Sequence, residues 1–317
     1  MIVWLLASLG LLILLLAGDA LVKGAVNLSL RIGVPALIVS LTIVAFGTSA
    51  PELLISVNAV LEQKPGLALG NVVGSNTANI LLVLGVPALL AGLHTSECDS
   101  RKTYLLMIAA SVLFIGMAFR GIFDMMSGAI LLVVLTYVLG DAFREARRHR
   151  KACAADITDP DEVEGADPDM PWWQIVVFLV LGLIGLPLGA DLLVENASTI
   201  ARHYGVSDSV IGLTLVALGT SLPELATTVM AAIRRQADVA LGNVIGSNMF
   251  NLLAVIGITS LVGPIPVGLE FLEFDLWVML GASLLLVPFV FFARDIGRTW
   301  GIALTALYVI YVSVVLT

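Results

Sequence analysis

Along most of this chain the hydrophobic positions do not alternate with polar ones. They run together in stretches of about twenty, broken by short polar clusters. Ten such runs can be drawn, near residues 2–22, 36–61, 67–92, 103–119, 122–142, 172–193, 208–233, 239–262, 272–293 and 299–317. Each is long enough for an α-helix to cross a hydrocarbon layer of about 30 Å. The pattern predicts an all-α polytopic membrane protein of ten transmembrane helices. No basic residue precedes the first run and no small-residue cleavage site follows it, so it reads as a retained helix and not as a signal peptide. Composition agrees with the class: 59% of residues are hydrophobic, 13% are charged, and the mean hydropathy is +1.03.

Charge adds the orientation. With residues 144–171 placed in the cytoplasm, the inner loops collect Lys23, Arg31, Arg101, Lys102, Arg144, Arg147, Arg148, Arg150, Lys151, Arg234, Arg235, Arg294 and Arg298. Only Lys64, Arg120 and Arg202 fall outside. This positive-inside bias predicts that both termini are outside. Much of the net charge of −8 sits in the central segment, where Asp156, Asp159, Asp161, Glu162, Glu164, Asp167 and Asp169 follow the basic cluster. Such a polar segment reads as a solvated cytoplasmic linker. It is not an EF-hand, because Val163 and Glu164 stand where that loop needs Asp or Asn and Gly. Cys98 and Cys153 fall on the cytoplasmic side, where thiols stay reduced, and their spacing gives no metal site. The net charge carries no information about partners. No nucleic acid or obligatory protein partner is expected, only the lipid bilayer.

The chemistry lies where polar residues interrupt the apolar runs. Gly47-Thr-Ser-Ala-Pro-Glu52 and Gly219-Thr-Ser-Leu-Pro-Glu224 each place a carboxylate, two hydroxyls and a proline inside a predicted span. An ionisable residue at membrane depth is costly and marks function by default. Pro51 and Pro223 lack an N–H, which frees the carbonyls of Gly47 and Gly219. Unwound backbone at this depth survives only within protein or beside a polar cavity. Thr48 and Ser49 lie four and three residues before Glu52, so the three oxygens can share one face. Oxygen ligands with freed carbonyls make a site for a hard cation. A bland alternative is a proline kink whose hydroxyls mend the backbone while the Glu pairs with a distant Arg; two copies weigh against it. In the third run Asn71, Ser75 and Asn79 form a polar stripe, and Gly70 and Gly74 form a pair of small residues that admits close helix packing.

The second half repeats the first. A shift of 172 residues carries Asp19 to Asp191, Gly33 to Gly205, Thr42 to Thr214, Glu52 to Glu224, Ser75 to Ser247 and Asn79 to Asn251. This is an internal duplication. Each half holds five spans, an odd number, so the copies must be inverted relative to one another. The expected organisation is residues 1–143 as the first five-helix repeat, 144–171 as the linker and 172–317 as the second, inverted repeat. Inverted repeats with broken helices near the midplane mark secondary transporters.

At these motifs, joined by Gly70-Asn-Val-Val-Gly-Ser-Asn-Thr-Ala-Asn79 and Gly242-Asn-Val-Ile-Gly-Ser-Asn-Met-Phe-Asn251, the chain resembles the sodium/calcium exchanger family of the cation/calcium exchanger superfamily. The resemblance implies an antiporter that exchanges sodium for calcium through one central site reached alternately from each side. By the same resemblance the ion ligands would be Thr48, Ser49, Glu52, Ser75 and Asn79, with Thr220, Ser221, Glu224, Ser247 and Asn251. The carbonyls of Ala45 and Ala217 would complete the set. The two Glu side chains would hold calcium. Helices one and six would slide as a pair against the other eight. Some relatives carry Asp where this chain has Asn251, leaving two acidic ligands here. The linker is too short for the large calcium-sensing insert of animal members, which points to the compact form found in the inner membrane of prokaryotes.

The donor set also limits the cargo. Calcium accepts six to eight oxygens in flexible geometry, whereas magnesium demands a tight octahedron and sheds water reluctantly. No sulfur or imidazole stands near the motifs, so zinc and copper are not expected. Sodium and calcium are the expected transported ions and no cofactor is expected. A proton-coupled or potassium-dependent calcium antiporter is the near alternative, and a passive cation channel is one of a different class. Enzymatic activity is not expected: Ser49 and Ser221 could act as nucleophiles only with a base, and His94, His149 and His203 fall in loops or at helix ends.

Overall fold

The computed structural model describes residues 2–153, 167, 169–205 and 217–315. Its chain is helical almost throughout. Helix α1 spans Ile2–Ile32, α2 Ala36–Thr48, α3 Ala50–Leu61, α4 Pro65–Leu90, α5 Arg101–Ala118 and α6 Met125–Cys153. Beyond the linker come α7 Trp172–His203, a short turn at Ala217–Gly219, α8 Leu222–Ile233, α9 Ala237–Val262, α10 Phe271–Phe291 and α11 Arg298–Val315. Among the described residues eight helices are long and apolar enough to cross a membrane; α2 and α3, bent by 41° at their break, make a ninth if the pair is counted as one span. The predicted span 208–233 is seen only from residue 217; Thr214 and the rest of its start lie outside the described residues, as do the linker acids from Asp156 to Glu164.

Three helices overrun their apolar stretches. Helix α1 continues ten residues past the predicted end at 22, and α7 ten past 193. Their extra turns are amphipathic. In α1, Asn27 and Ser29 are buried while Leu30 and Arg31 face out, so a window that sums hydropathy stops too early. The overrun of α6 takes it to Cys153, through ten residues the sequence assigns to the linker.

Helices α4 and α9 form the centre. Of the most apolar stretch of α9, 89% is buried, against 17% for α11. Both central helices carry asparagines and serines that lipid would not tolerate, so the peripheral helices wrap around them. Helices α1 and α7 pack side by side along their length. At Gly10 an added Cβ would sit 2.6 Å from the Leu193 nitrogen, and at Gly189 one would sit 2.8 Å from the Leu14 nitrogen. Backbone meets backbone there, a contact only glycine allows. Gly10→Leu is therefore expected to cost about 1–3 kcal/mol through overpacking. It should lower the melting temperature in detergent, while Gly116→Leu, where nothing among the described residues lies within 4 Å, leaves it unchanged.

The duplication is visible in the backbone. Left-handed residues occur at Gly33 and Gly205, at Gln63 and Arg235, and at Gly121 and Ala293, each pair 172 apart. Helices α3 and α8 end in the same way. Lys64 N–H donates to the Ala59 carbonyl and Gln63 N–H to Val60, just as Gln236 donates to Ala231 and Arg235 to Ala232. This is the Schellman closure, built at both sites on a residue with positive φ. Two widened π-turns, Asn79–Val83 and Asn251–Val255, also correspond. Such turns insert a residue into the helical ladder and recur at functional sites. Gly242 and Gly246 of α9 press on the Leu37 and Leu41 carbonyls of α2. Gly74 of α4 has no such neighbour among the described residues, and the segment that the repeat would place against it, 209–213, lies outside them.

A pair of two-residue strands, β1 Ile122–Phe123 and β2 Ile265–Pro266, joins the two halves at one end, antiparallel with Phe123 opposite Ile265. Leu93 and Ile296 bridge them elsewhere. Helix α1 is tied to the end of α8 by an ion pair: Asp19 accepts from the Arg234 guanidinium and also lies 3.4 Å from Lys23.

Candidate functional site

Helix α2 ends at Thr48 because Pro51 cannot donate, and Ser49 takes the non-helical backbone angles (φ −85°, ψ 5°) of the break. Ser221 does the same in the second half (φ −86°, ψ 1°). Glu52 and Glu224 then sit in the first turn of α3 and α8, where a helix N-terminus favours negative charge. Both are fully buried. The two breaks are not bonded alike. Ser49 N–H donates to the Ala45 carbonyl, at 3.0 Å, whereas Ser221 N–H donates to Leu218, one residue later than the repeat predicts. The Ala45 carbonyl also accepts from the Thr48 hydroxyl at 3.3 Å. The side chain of Ala217 lies outside the described residues.

Each Glu is fixed by an asparagine from the neighbouring central helix. Asn71 donates to the Glu52 carbonyl (3.1 Å) and to Ser56 Oγ (3.0 Å). Asn243 donates to the Glu224 carbonyl (3.3 Å) and to Thr228 Oγ1 (3.1 Å). Asn71, at the head of the polar stripe, thus braces backbone and is not grouped with the hydroxyls around the carboxylates.

Around the carboxylates the two halves interleave. Ser49 Oγ donates to Glu224 Oε1 at 3.3 Å, and Ser247 Oγ to the same oxygen at 3.5 Å. Thr48 Oγ1 lies 3.4 Å from Ser247 Oγ and 3.3 Å from Asn243 Oδ1. Ser75 Oγ lies 3.5 Å from Thr220 Oγ1, the counterpart of the Thr48–Ser247 contact. These are long contacts, easily exchanged for a cation. The mirror bonds, from Ser221 and Ser75 to Glu52, are not made. Both carboxylate oxygens of Glu52 are buried without a hydrogen-bond partner, as are Glu224 Oε2, Ser221 Oγ, Asn79 Oδ1 and both polar atoms of Asn251. Among the described residues no basic side chain is bonded to them. Unpaired buried carboxylate oxygens are expensive, and a cation is the species that would complete them.

Three asparagines matter that the stripe 71, 75, 79 leaves out. Asn76 and Asn248 donate to each other's backbone carbonyls at 3.1 and 3.3 Å, and Asn243 braces Glu224. The duplicated Gly-Ser-Asn and Gly-Asn-Val segments contain all three, so the repeat itself was the signal. Asp19 is held by Arg234, and Asp191 is exposed.

A bundle of apolar helices enclosing oxygen-lined, carboxylate-bearing helix breaks is an ion-translocating membrane protein. The comparisons are specific: the family model described as sodium/calcium exchanger protein matches residues 2–142 and 174–317, and the chain belongs to that family. It is 36% identical to a putative antiporter, CaxA, of Alkalimonas amylolytica over 88% of this chain and 86% of that one. It is 33% identical to the sodium/calcium exchanger MaX1 of Methanosarcina acetivorans, over 98% and 97%. Among solved structures, the sodium-calcium exchanger NCX_Mj, soaked with sodium and strontium, superposes with a TM-score of 0.83 at 31% identity, covering 99% of this chain and 98% of that one.

Proposed function

We propose that this protein is a secondary antiporter that exchanges sodium for calcium by alternating access, at a central site containing Glu52 and Glu224. The observation that carries the reading is Glu52, fully buried with both oxygens unpaired, beside a second buried carboxylate, Glu224, on which loosely bonded hydroxyls from both halves lie. Calcium would take the two carboxylates. Sodium would use Thr48, Ser49, Ser75, Asn79, Thr220, Ser221, Ser247 and Asn251 around them, together with the carbonyls of Ala45 and Ala217. Unequal bonding around the two Glu side chains fits a site caught in one of two related arrangements. Under this reading the chain forms ten spans in two inverted halves, 1–143 and 172–317, with both termini outside and 144–171 in the cytoplasm.

The deciding experiment is calcium-45 uptake into proteoliposomes under separately imposed sodium, potassium and proton gradients. An outward sodium gradient at fixed pH should drive accumulation. Accumulation driven by a proton gradient alone would make the protein a calcium/proton antiporter, and dissipative flux with single-channel conductance would make it a channel.

A further inference from the structure

An asparagine beside a cation can turn either end towards it. Its Oδ1 is a ligand, whereas its Nδ2 is a donor that a cation repels. A carboxylate has no such ambiguity, because both of its ends are oxygen. With Asn at both 79 and 251, this chain needs a device that keeps each amide nitrogen turned away.

For Asn79 the structure contains one. Its Nδ2 donates to Asn248 Oδ1 at 3.1 Å, and its own Oδ1 is left buried and unpaired. Asn248 is anchored in turn, since its Nδ2 donates to the Asn76 carbonyl and Asn76 Nδ2 donates back to the Asn248 carbonyl. The 172-residue repeat predicts a matching bond from Asn251 Nδ2 to Asn76 Oδ1. Those two atoms are both buried and both without a partner. One member of a symmetric pair of bonds is therefore made and the other is open.

We infer that Asn76 and Asn248 are positioning residues of the cation site: a cross-bonded amide pair in which Asn248 turns the Oδ1 of Asn79 towards the ion, and Asn76 serves Asn251 in the same way. The inference rests on the proposed function, in which Asn79 and Asn251 are ligands. The plainer role for the pair is a staple between α4 and α9. A staple would matter equally whatever residue stood at 79, and a device that orients an amide would not.

The test is Asn248→Ala made in two backgrounds, the native chain and Asn79→Asp, with the calcium half-saturation and maximal rate of sodium-driven uptake measured for each. In the native background half-saturation should rise on the order of tenfold or more, the usual cost of losing an outer partner of a metal ligand. In the Asn79→Asp background the same change should move it less than about twofold, because the carboxylate presents oxygen unaided. Equal penalties in both backgrounds, or none in either, overturn the inference while leaving the site intact. An Asn79→Asp chain with the parent's half-saturation overturns the ligand reading and this inference with it. Should Asn248→Ala fail to fold, Asn248→Ser carries the same comparison, since it retains a hydroxyl near the Asn76 carbonyl but is too short to reach Asn79.

Discussion

Glu224→Gln and Glu52→Gln are each expected to abolish sodium-driven calcium uptake, by at least about a hundredfold, in protein that still purifies as a folded monodisperse species. The substitution keeps shape and one oxygen but removes a full negative charge from a fully buried position. In such surroundings Coulomb energies are several times their value in water, and a loss near 3 kcal/mol already exceeds a hundredfold. Glu52 should be at least as sensitive as Glu224, because no hydroxyl shares its charge whereas Ser49 and Ser247 lie on Glu224. Uptake within a few-fold of the parent in a well-folded Glu52→Gln chain would place the ion site elsewhere.

Exchange should also respond strongly to membrane voltage. With both carboxylates ionised, the empty site carries about two negative charges, and one calcium ion neutralises it. If the site takes more than two sodium ions, the sodium-loaded form is net positive, and no basic side chain or third carboxylate among the site residues alters the count. One elementary charge crossing 100 mV is worth about 2.3 kcal/mol, close to a fiftyfold change in the equilibrium calcium ratio. The measurement is calcium uptake into sodium-loaded vesicles with the potential clamped by potassium and valinomycin. Uptake should increase when the interior is made positive, because the sodium leaving carries the surplus charge. A rate and endpoint unmoved by the clamp would point to electroneutral exchange.

Much of the architecture could be read from the chain because its signals are local. Apolar runs near 103–119, 239–262 and 272–293 fall within a few residues of α5, α9 and α10. Pro51 marked the break between α2 and α3 to within two residues, since a missing donor acts where it stands. The ends of α1 and α7 were not legible, because the helices continue by packing on each other after their hydropathy has fallen. Nor was the partnership of Asn76 with Asn248, a contact across 172 residues that the i, i+4 spacing of the Asn71 stripe conceals. The unlike surroundings of Glu52 and Glu224 could not be read at all. Their motifs are nearly identical, so the difference belongs to the conformation and not to the sequence.

The ion pair between Asp19 and Arg234 has a consequence for how such a carrier rests. Under the repeat, Asp19 maps to Asp191 and Arg234 to Glu62. Asp191 is exposed, and Glu62 is engaged by Lys64 at 3.1 Å, so the far end of the duplicated fold has an acid where the near end has its clasp. A duplicated protein with a symmetric sequence would populate its two orientations equally when empty. Under alternating access, a partly exposed salt bridge worth up to about 1 kcal/mol, formed in one orientation with no counterpart in the other, would skew their ratio by up to roughly fivefold. If the duplication supplies two interchangeable shapes, the change of charge sign between positions 62 and 234 would favour one of them.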